Sequence, residues 1–302
     1  MTASSMARPA RPEPSAFLEL LKPITWFPPM WAYACGLVSS GVPAEGRWPY
    51  IAAGILLAGP MVCGTSQAVN DWFDRHVDAI NEPNRPIPSG RMPGRWGLYV
   101  AVVWTLLSVV VATALGVGGF VAALFGLALA WAYSAPPFRL KRNGWYGNAA
   151  VGACYEGLPW FTGAAVMTAA FPDWRVVCLA ALYSIGAHGI MTLNDFKSIE
   201  GDKRTGIGSL PVQLGPERAA KLACIVMAVP QVAVVALLAF WDRPIHALAV
   251  AGVLVAQLVL MRTLLSDPRG RAAWYNGTGI VLFVSGMMIS AFAIRGLIAG
   301  AA

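Results

Sequence analysis

Charge is scarce in this chain. Asp, Glu, Lys and Arg make up 12% of its 302 residues, about half the ~25% of a soluble globular domain. With 57% hydrophobic residues, too few charges remain to clothe a water-soluble surface. The net charge of +7 does not point to nucleic acid, because a basic nucleic-acid face interleaves polar residues with its cations and such residues are missing here. The lipid bilayer is the partner implied. Cysteine pairs are absent too: Cys35, Cys63, Cys154, Cys178 and Cys224 lie in separate apolar runs with no CxxC. That excludes a disulfide or zinc framework and leaves small buried hydrophobes. The first 16 residues, MTASSMARPARPEPSA, lack the apolar core of a signal peptide and read as a short disordered tail. Residues 17–302 then form a single membrane domain.

What the chain has in abundance is apolar length. A bilayer core about 30 Å thick requires roughly 20 apolar residues per helix. Nine segments meet this, at about 24–42, 50–69, 96–115, 118–134, 147–169, 174–193, 219–240, 244–265 and 274–298. The fold class expected is all-α, a multi-pass membrane protein built as a bundle of about nine transmembrane helices. The third and fourth segments are separated by GVGG and read as a tight hairpin across that loop. With nine spans and a cytoplasmic N-terminus, only Arg47, Arg175, Arg243 and Arg295 face the far side; every other Lys and Arg is cytoplasmic, as the positive-inside rule requires. The C-terminus is then periplasmic.

Two polar stretches, about 70–95 and 194–218, fall on the cytoplasmic side in this scheme and read as long loops. One opens with Asn70-Asp71-Trp72 and the other with Asn194-Asp195-Phe196. Ile87-Pro88-Ser89-Gly90 in the first is echoed by Gly208-Ser209-Leu210-Pro211 in the second. The echo points to two related half-sites facing each other.

Asn70, Asp74 and Asp78 stand at i, i+4 and i+8, which lines them along one helix face. Asp195 and Asp202 are seven apart and share a face if their helix continues, with Glu200 turned elsewhere. Carboxylates this close repel and raise one another's pKa unless a cation lies between them. The hard cation that suits carboxylates together with substrate phosphates is Mg²⁺. The chemistry implied is the handling of a diphosphate, with Arg75, Arg85, Lys141, Lys197 and Lys203 as candidate phosphate ligands. Against this stands the plainer reading of helix caps and solvated charges, and for Asp71 both cap and ligand stay open. A transporter also uses intramembrane carboxylates, but it tends to hold them near the midplane on broken helices rather than at one membrane face. Glu156 lies within the fifth segment, where an ionisable residue is a functional candidate by default. His76 reads as solvated, and His246 has no assigned role.

NDWFDRHVDAINEPNRPIPSG and the Asp-rich second stretch resemble the UbiA superfamily of intramembrane prenyltransferases. The resemblance covers essentially the whole chain. It implies a nine-helix bundle in which two motifs hold Mg²⁺ and an isoprenyl diphosphate, with the prenyl chain in an apolar cleft. Together with YSAPPFRLKRNGWYGN and NDFKSIEGDKRTGIGSLPVQLG, these segments look like the chlorophyll/bacteriochlorophyll synthase branch. RHVDAINEP and GACYEGLPWFTGA look more like the bacteriochlorophyll form. The branch implies transfer of a C20 prenyl group, from geranylgeranyl or phytyl diphosphate, to the propionate of bacteriochlorophyllide a. Chlorophyllide a and quinone or haem precursors are the alternative acceptors. It also implies a bacterial inner or intracytoplasmic photosynthetic membrane, and association with other pigment-synthesis or photosystem-assembly membrane proteins.

Carried over by position, Asn70, Asp74 and Asp78 would be the first metal–diphosphate motif and Asp195 and Asp202 the second. Many superfamily members have DxxxD in the second stretch, whereas Ile199 stands four residues after Asp195 here; Glu200 is therefore an alternative ligand. His188, seven residues before Asp195, is a candidate axial ligand to the chlorin magnesium, with a hydrogen-bonded bundle histidine as the alternative. Trp72, Phe73, Tyr133 and Phe196 are candidates to flank a carbocation.

Overall fold

The computed structural model describes residues 11–299. Among them the regular structure is helical throughout, in fourteen α-helices: α1 (Pro14–Leu21), α2 (Phe27–Ser39), α3 (Trp48–Leu56), α4 (Gly64–Asn81), α5 (Trp96–Thr113), α6 (Gly116–Ser134), α7 (Gly144–Gly152), α8 (Leu158–Thr168), α9 (Trp174–Asn194), α10 (Ile199–Thr205), α11 (Leu210–Leu214), α12 (Pro216–Phe240), α13 (Pro244–Ser266) and α14 (Pro268–Ala299). Proline sets many of the starts. It occupies one of the first two positions of α1, α2, α3, α11, α12, α13 and α14, where its missing N–H is not needed and its fixed φ suits the helix.

Two rods are joined end to end by π-helical turns. Leu57–Cys63, which contains Pro60, links α3 to α4, and Ala153–Gly157 links α7 to α8. The turns meet inside the bundle, where Cys63 Sγ lies 3.4 Å from the Tyr155 hydroxyl. Among the described residues, seven continuous stretches are long and apolar enough to cross a bilayer: Trp48–Ile80, Trp96–Thr113, Gly116–Ser134, Trp174–Thr205, Pro216–Phe240, Pro244–Ser266 and Pro268–Ile298. The other two expected spans differ in kind. α2 has 13 residues, about 20 Å of helix, and the α7–α8 rod carries Asn148, Glu156 and a π turn.

Three expectations are corrected. Helix begins at Pro14 and Ala16 is fully buried, so the expected tail of residues 1–16 gives way to structure at its end; its first ten residues lie outside the described ones. The hairpin between α5 and α6 turns at Ala114–Leu115, and GVGG opens α6 instead of forming the loop. The stretch from Asn70 is not a loop until Glu82: α4 runs on through Asn81, because its polar side chains face other protein and a cavity rather than lipid.

α2 and α8 cross at backbone distance. A Cβ on Gly163 would fall on the carbonyl oxygen of Tyr33, and one on Gly36 on that of Trp160. This is the small-residue contact by which membrane helices reach backbone distance. Trp160 Nε1 donates to Ser39 Oγ at 3.0 Å across the same crossing. Between α12 and α13, Gln231 and Gln257 are fully buried and exchange amide hydrogen bonds of 3.2 and 2.8 Å. Each thus satisfies a polar group that lipid cannot.

Candidate active site

A cavity of about 560 Å³ opens at the end of the bundle where α4, α6 and α9 finish and α7 starts. One wall is the last three turns of α4. Because the helix is unbroken there, Asn70, Asp74 and Asp78 all line the cavity, with Glu82 just beyond the helix end. Asn70 Nδ2 donates to Asp74 Oδ2 at 3.1 Å and to Ser134 Oγ at 3.2 Å, which fixes the first carboxylate against α6.

The opposite wall carries Asp195 and Asp202. They do not share one continuous α-helix. The chain tightens into a 3₁₀ turn over Asp195–Ser198 and restarts as α10, and both carboxylates line the cavity. Asp202 is buried and accepts hydrogen bonds from Ser198 Oγ at 3.0 Å and Ser209 Oγ at 2.6 Å. Tyr133 of α6 and Asn148 of α7 complete the polar lining between the two walls.

The turn before α7 delivers a cation. Lys141 is buried, lines the cavity and forms an ion pair with Asp74, whose other oxygen lies 3.3 Å from Arg139 Nη2. Burial pulls the Lys141 pKa below the usual lysine range, against the opposing pull of Asp74. The turn is stapled to the second wall. Gly144 N donates to Gly208 O at 2.8 Å, and Gly208 N to Arg142 O at 2.9 Å. A Cβ on Gly144 would stand 2.6 Å from Leu210 N, so glycine is what permits the staple.

Beyond α4, Arg85 also reaches the cavity. It pairs with Asp78 at 2.9 Å and with Glu82 through two bonds of 2.5 and 2.8 Å. Arg85 in turn holds the Glu82 carboxyl below its ordinary range. Lys197 lines the rim of the opposite wall.

Other expected residues are placed elsewhere. Arg75 lies over the Trp72 ring, 4.1 Å from its centroid, and donates to Trp72 O at 2.7 Å. Lys203 and Glu200 are exposed, 3.8 Å from each other, and Glu200 stands 3.9 Å from Arg269; neither lines the cavity. His188 packs beside Trp145, ring centroids 5.8 Å apart, and Glu156 is buried in the π turn with Oε2 unpartnered; neither lines the cavity. The echoed Asn-Asp pairs play different parts. Asn70 lines the cavity and Asp71 does not, whereas Asp195 does and Asn194 does not. Glu82, Asn148, Ser198 and Ser209 were not expected, although Ser209 stands inside the GSLP echo that marked this segment.

The donor set fits Mg²⁺. Five carboxylates line the cavity against three cations, Arg85, Lys141 and Lys197, an excess of negative charge supplied by hard oxygens. Among the described residues no three acidic, His or Cys side chains form a ready-made cage. Mg²⁺ bound here would take one or two of these carboxylates, with waters and substrate phosphates filling its other positions.

Three comparisons bear on this arrangement. The chain is 62% identical over 286 residues to the bacteriochlorophyll synthase 33 kDa chain of Cereibacter sphaeroides, covering 95% of each. It is 39% identical to the chloroplastic chlorophyll synthase of Arabidopsis thaliana, over 91% of this chain and 73% of that one. In fold it is similar to a UbiA homolog from Archaeoglobus fulgidus bound to DMAPP and Mg²⁺, with a TM-score of 0.72 and 21% identity over 93% of this chain and 99% of that one. With residues 25–293 matching its family pattern, this multi-pass membrane chain belongs to the UbiA prenyltransferase family.

Proposed function

We propose that this chain transfers a C20 prenyl group, geranylgeranyl or phytyl, from its diphosphate to the propionate carboxylate of bacteriochlorophyllide a. The observation that carries the reading is the pair of facing carboxylate walls with Lys141 and Arg85 between them, in a chain 62% identical to a bacteriochlorophyll synthase chain. The higher identity to bacteriochlorophyll synthase than to the plant chlorophyll synthase favours the bacteriochlorin over the chlorin as acceptor.

Asn70, Asp74 and Asp78 on one wall and Asp195 and Asp202 on the other would hold Mg²⁺. When bound, the metal neutralises the diphosphate and stabilises the charge that builds on it as a leaving group. Lys141 and Arg85 exchange their carboxylate partners for phosphate oxygens and donate to them. Ser198 and Ser209 keep Asp202 oriented toward the cavity while this happens. The allylic C1–O bond breaks with its electron pair going to the diphosphate, and a propionate oxygen supplies the pair for the new C–O bond. No proton is transferred. The acceptor carboxylate is ionised at neutral pH, so the site has no need of a strong base. Tyr133, which lines the cavity, would flank the developing cation. Arg75, Lys203, Glu200, His188 and Glu156 are given no part in these steps.

The membrane is the bacterial inner or intracytoplasmic one, with the cavity end cytoplasmic. The loops at that end carry most of the Lys and Arg. An assay on membranes containing the protein tests the reading. Bacteriochlorophyllide a and chlorophyllide a are offered separately with geranylgeranyl diphosphate, with and without Mg²⁺. Metal-dependent ester formation on the bacteriochlorin is expected. Product from neither pigment would overturn the acceptor assignment and turn attention to quinone and haem precursors.

A further inference from the structure

The segment after α4 carries Arg85 to the cavity, and α1 grips that segment from outside. Glu13 N donates to Arg91 O at 3.0 Å. The Glu19 carboxylate takes two bonds from Arg91, of 2.6 and 3.0 Å, and Arg91 also donates to Asn84 O at 2.6 Å. Below these polar contacts, Leu20 and Leu21 of α1 pack with Val69 of α4 and Met92 of the segment. A short N-terminal helix is thereby fixed to both α4 and the Arg85 segment.

The grip ends in a shared carboxylate. Lys22 closes α1 with φ +47, a left-handed conformation that a non-glycine residue rarely adopts. From there Lys22 Nζ reaches Asp71 Oδ1 at 2.7 Å. The same oxygen lies 3.3 Å from Arg85 Nη1, which also holds Asp78 at 2.9 Å. Asp71 is almost wholly buried, and its second oxygen has no hydrogen-bond partner among the described residues. Neither Lys22 nor Asp71 lines the cavity, so neither is presented to a ligand there.

We propose that Lys22 and Asp71 are positioning residues that hold Arg85 ready for the diphosphate of the donor. The proposal rests on the reading of the cavity as a prenyl-diphosphate site. Arg85 has two kinds of partner. Glu82 is exposed, and ion pairs at such positions are weak and exchangeable. Asp71 is buried behind the guanidinium and stays when a ligand enters. A diphosphate takes the place of Glu82 on the outer edge of Arg85, while Asp71 keeps the inner edge in register. Without Asp71, the guanidinium would be held only by Asp78 and Glu82, which both line the cavity, and no carboxylate behind it would fix its inner edge when a ligand enters. Lys22 shares the Asp71 charge, which stops Asp71 from drawing Arg85 out of the cavity. The α1 helix, tied down through Arg91, fixes where Lys22 can stand.

The test is a double-mutant cycle on the full-length protein in detergent. It measures the affinity for geranylgeranyl S-thiolodiphosphate, a donor that does not react, in the wild type, Asp71→Asn, Arg85→Gln and the double variant. Thermal midpoints are recorded alongside. Asp71→Asn is expected to weaken binding about tenfold, the cost of about one buried charge-assisted hydrogen bond. In the Arg85→Gln background it is expected to weaken binding no further. Lys22→Met, which leaves Asp71 in place, is expected to give a smaller loss that also vanishes in that background. Steady-state kinetics of Asp71→Asn should show a raised KM for the donor and an unchanged KM for the pigment. Equal losses in both backgrounds, a loss confined to the pigment KM, or lowered thermal midpoints with unchanged affinity would each overturn the proposal. Transfer to bacteriochlorophyllide by the same wild-type preparation tests the underlying reading separately.

Discussion

Asp74 on α4 and Lys141 on the turn before α7 form a direct ion pair across 67 positions of sequence. The pair joins the first carboxylate wall to the turn that is stapled to the second; loss of Asp74 leaves the buried Lys141 ammonium without its carboxylate, whereas loss of Lys141 leaves Asp74 with Arg139 and Asn70. A buried ion pair adds little stability of its own, yet breaking it from one side is costly.

Lys141→Met and Asp74→Asn should each lower kcat/KM by about 10²–10³-fold, the scale seen when one preorganised electrostatic contact is removed. Because the two act as a unit, the double variant should lose far less than the product of the single losses. Steady-state rates of the four proteins check this.

Chelation with EDTA should abolish ester formation, and Mg²⁺ should restore it. Asp195→Asn removes one hard ligand from the second wall, so the Mg²⁺ concentration for half-maximal rate should rise about tenfold. A titration of rate against Mg²⁺ for both proteins measures the shift.

Asp202 lines the cavity and Glu200 faces solvent beside Lys203 and Arg269. Asp202→Asn should therefore reduce activity by about 10²-fold or more, while Glu200→Gln stays within about twofold of the wild type. Ser209→Ala, which removes one hydrogen bond to Asp202, should fall between them at about tenfold. Reversal of the first two would place the second-wall ligand on the wrong carboxylate.

Gly163→Val should sharply reduce the yield of folded protein and lower its thermal midpoint, because α2 and α8 touch backbone to backbone there; overpacking of this kind costs about 1–3 kcal/mol or more. Gly252→Ala on α13, where a Cβ meets nothing within 4 Å, should be neutral or stabilising by up to about 1 kcal/mol. Midpoints of the two variants, measured in the same detergent, check the contrast.

The first carboxylate wall was legible in the sequence because it obeys one rule. Residues at i, i+4 and i+8 share a face whenever a helix continues, and α4 continues. Its polar composition disguised that continuation as a loop. Arg75 shows the limit of adjacency: the residue beside Asp74 turns about 100° around the helix and ends on Trp72. In the second wall the seven-residue spacing already set Asp195 and Asp202 on one face and Glu200 off it, but the 3₁₀ turn that interrupts the helix between them carries no spacing signal. Least visible was α1. Eight residues in a Pro-rich neighbourhood carry no span signal, and the pairing of Lys22 with Asp71 spans 49 positions.

The π turn between α3 and α4 separates two design problems on one rod. Its wider winding shifts the register of everything after it by about one residue, near 100° of rotation. The lower half, Trp48–Leu56, can thus present whichever face suits lipid and neighbouring helices, while the upper half keeps Asn70, Asp74 and Asp78 on the cavity. Sequence drift in the membrane half need not rotate the carboxylates. A chain built this way can refit its greasy interior and leave its carboxylate wall untouched.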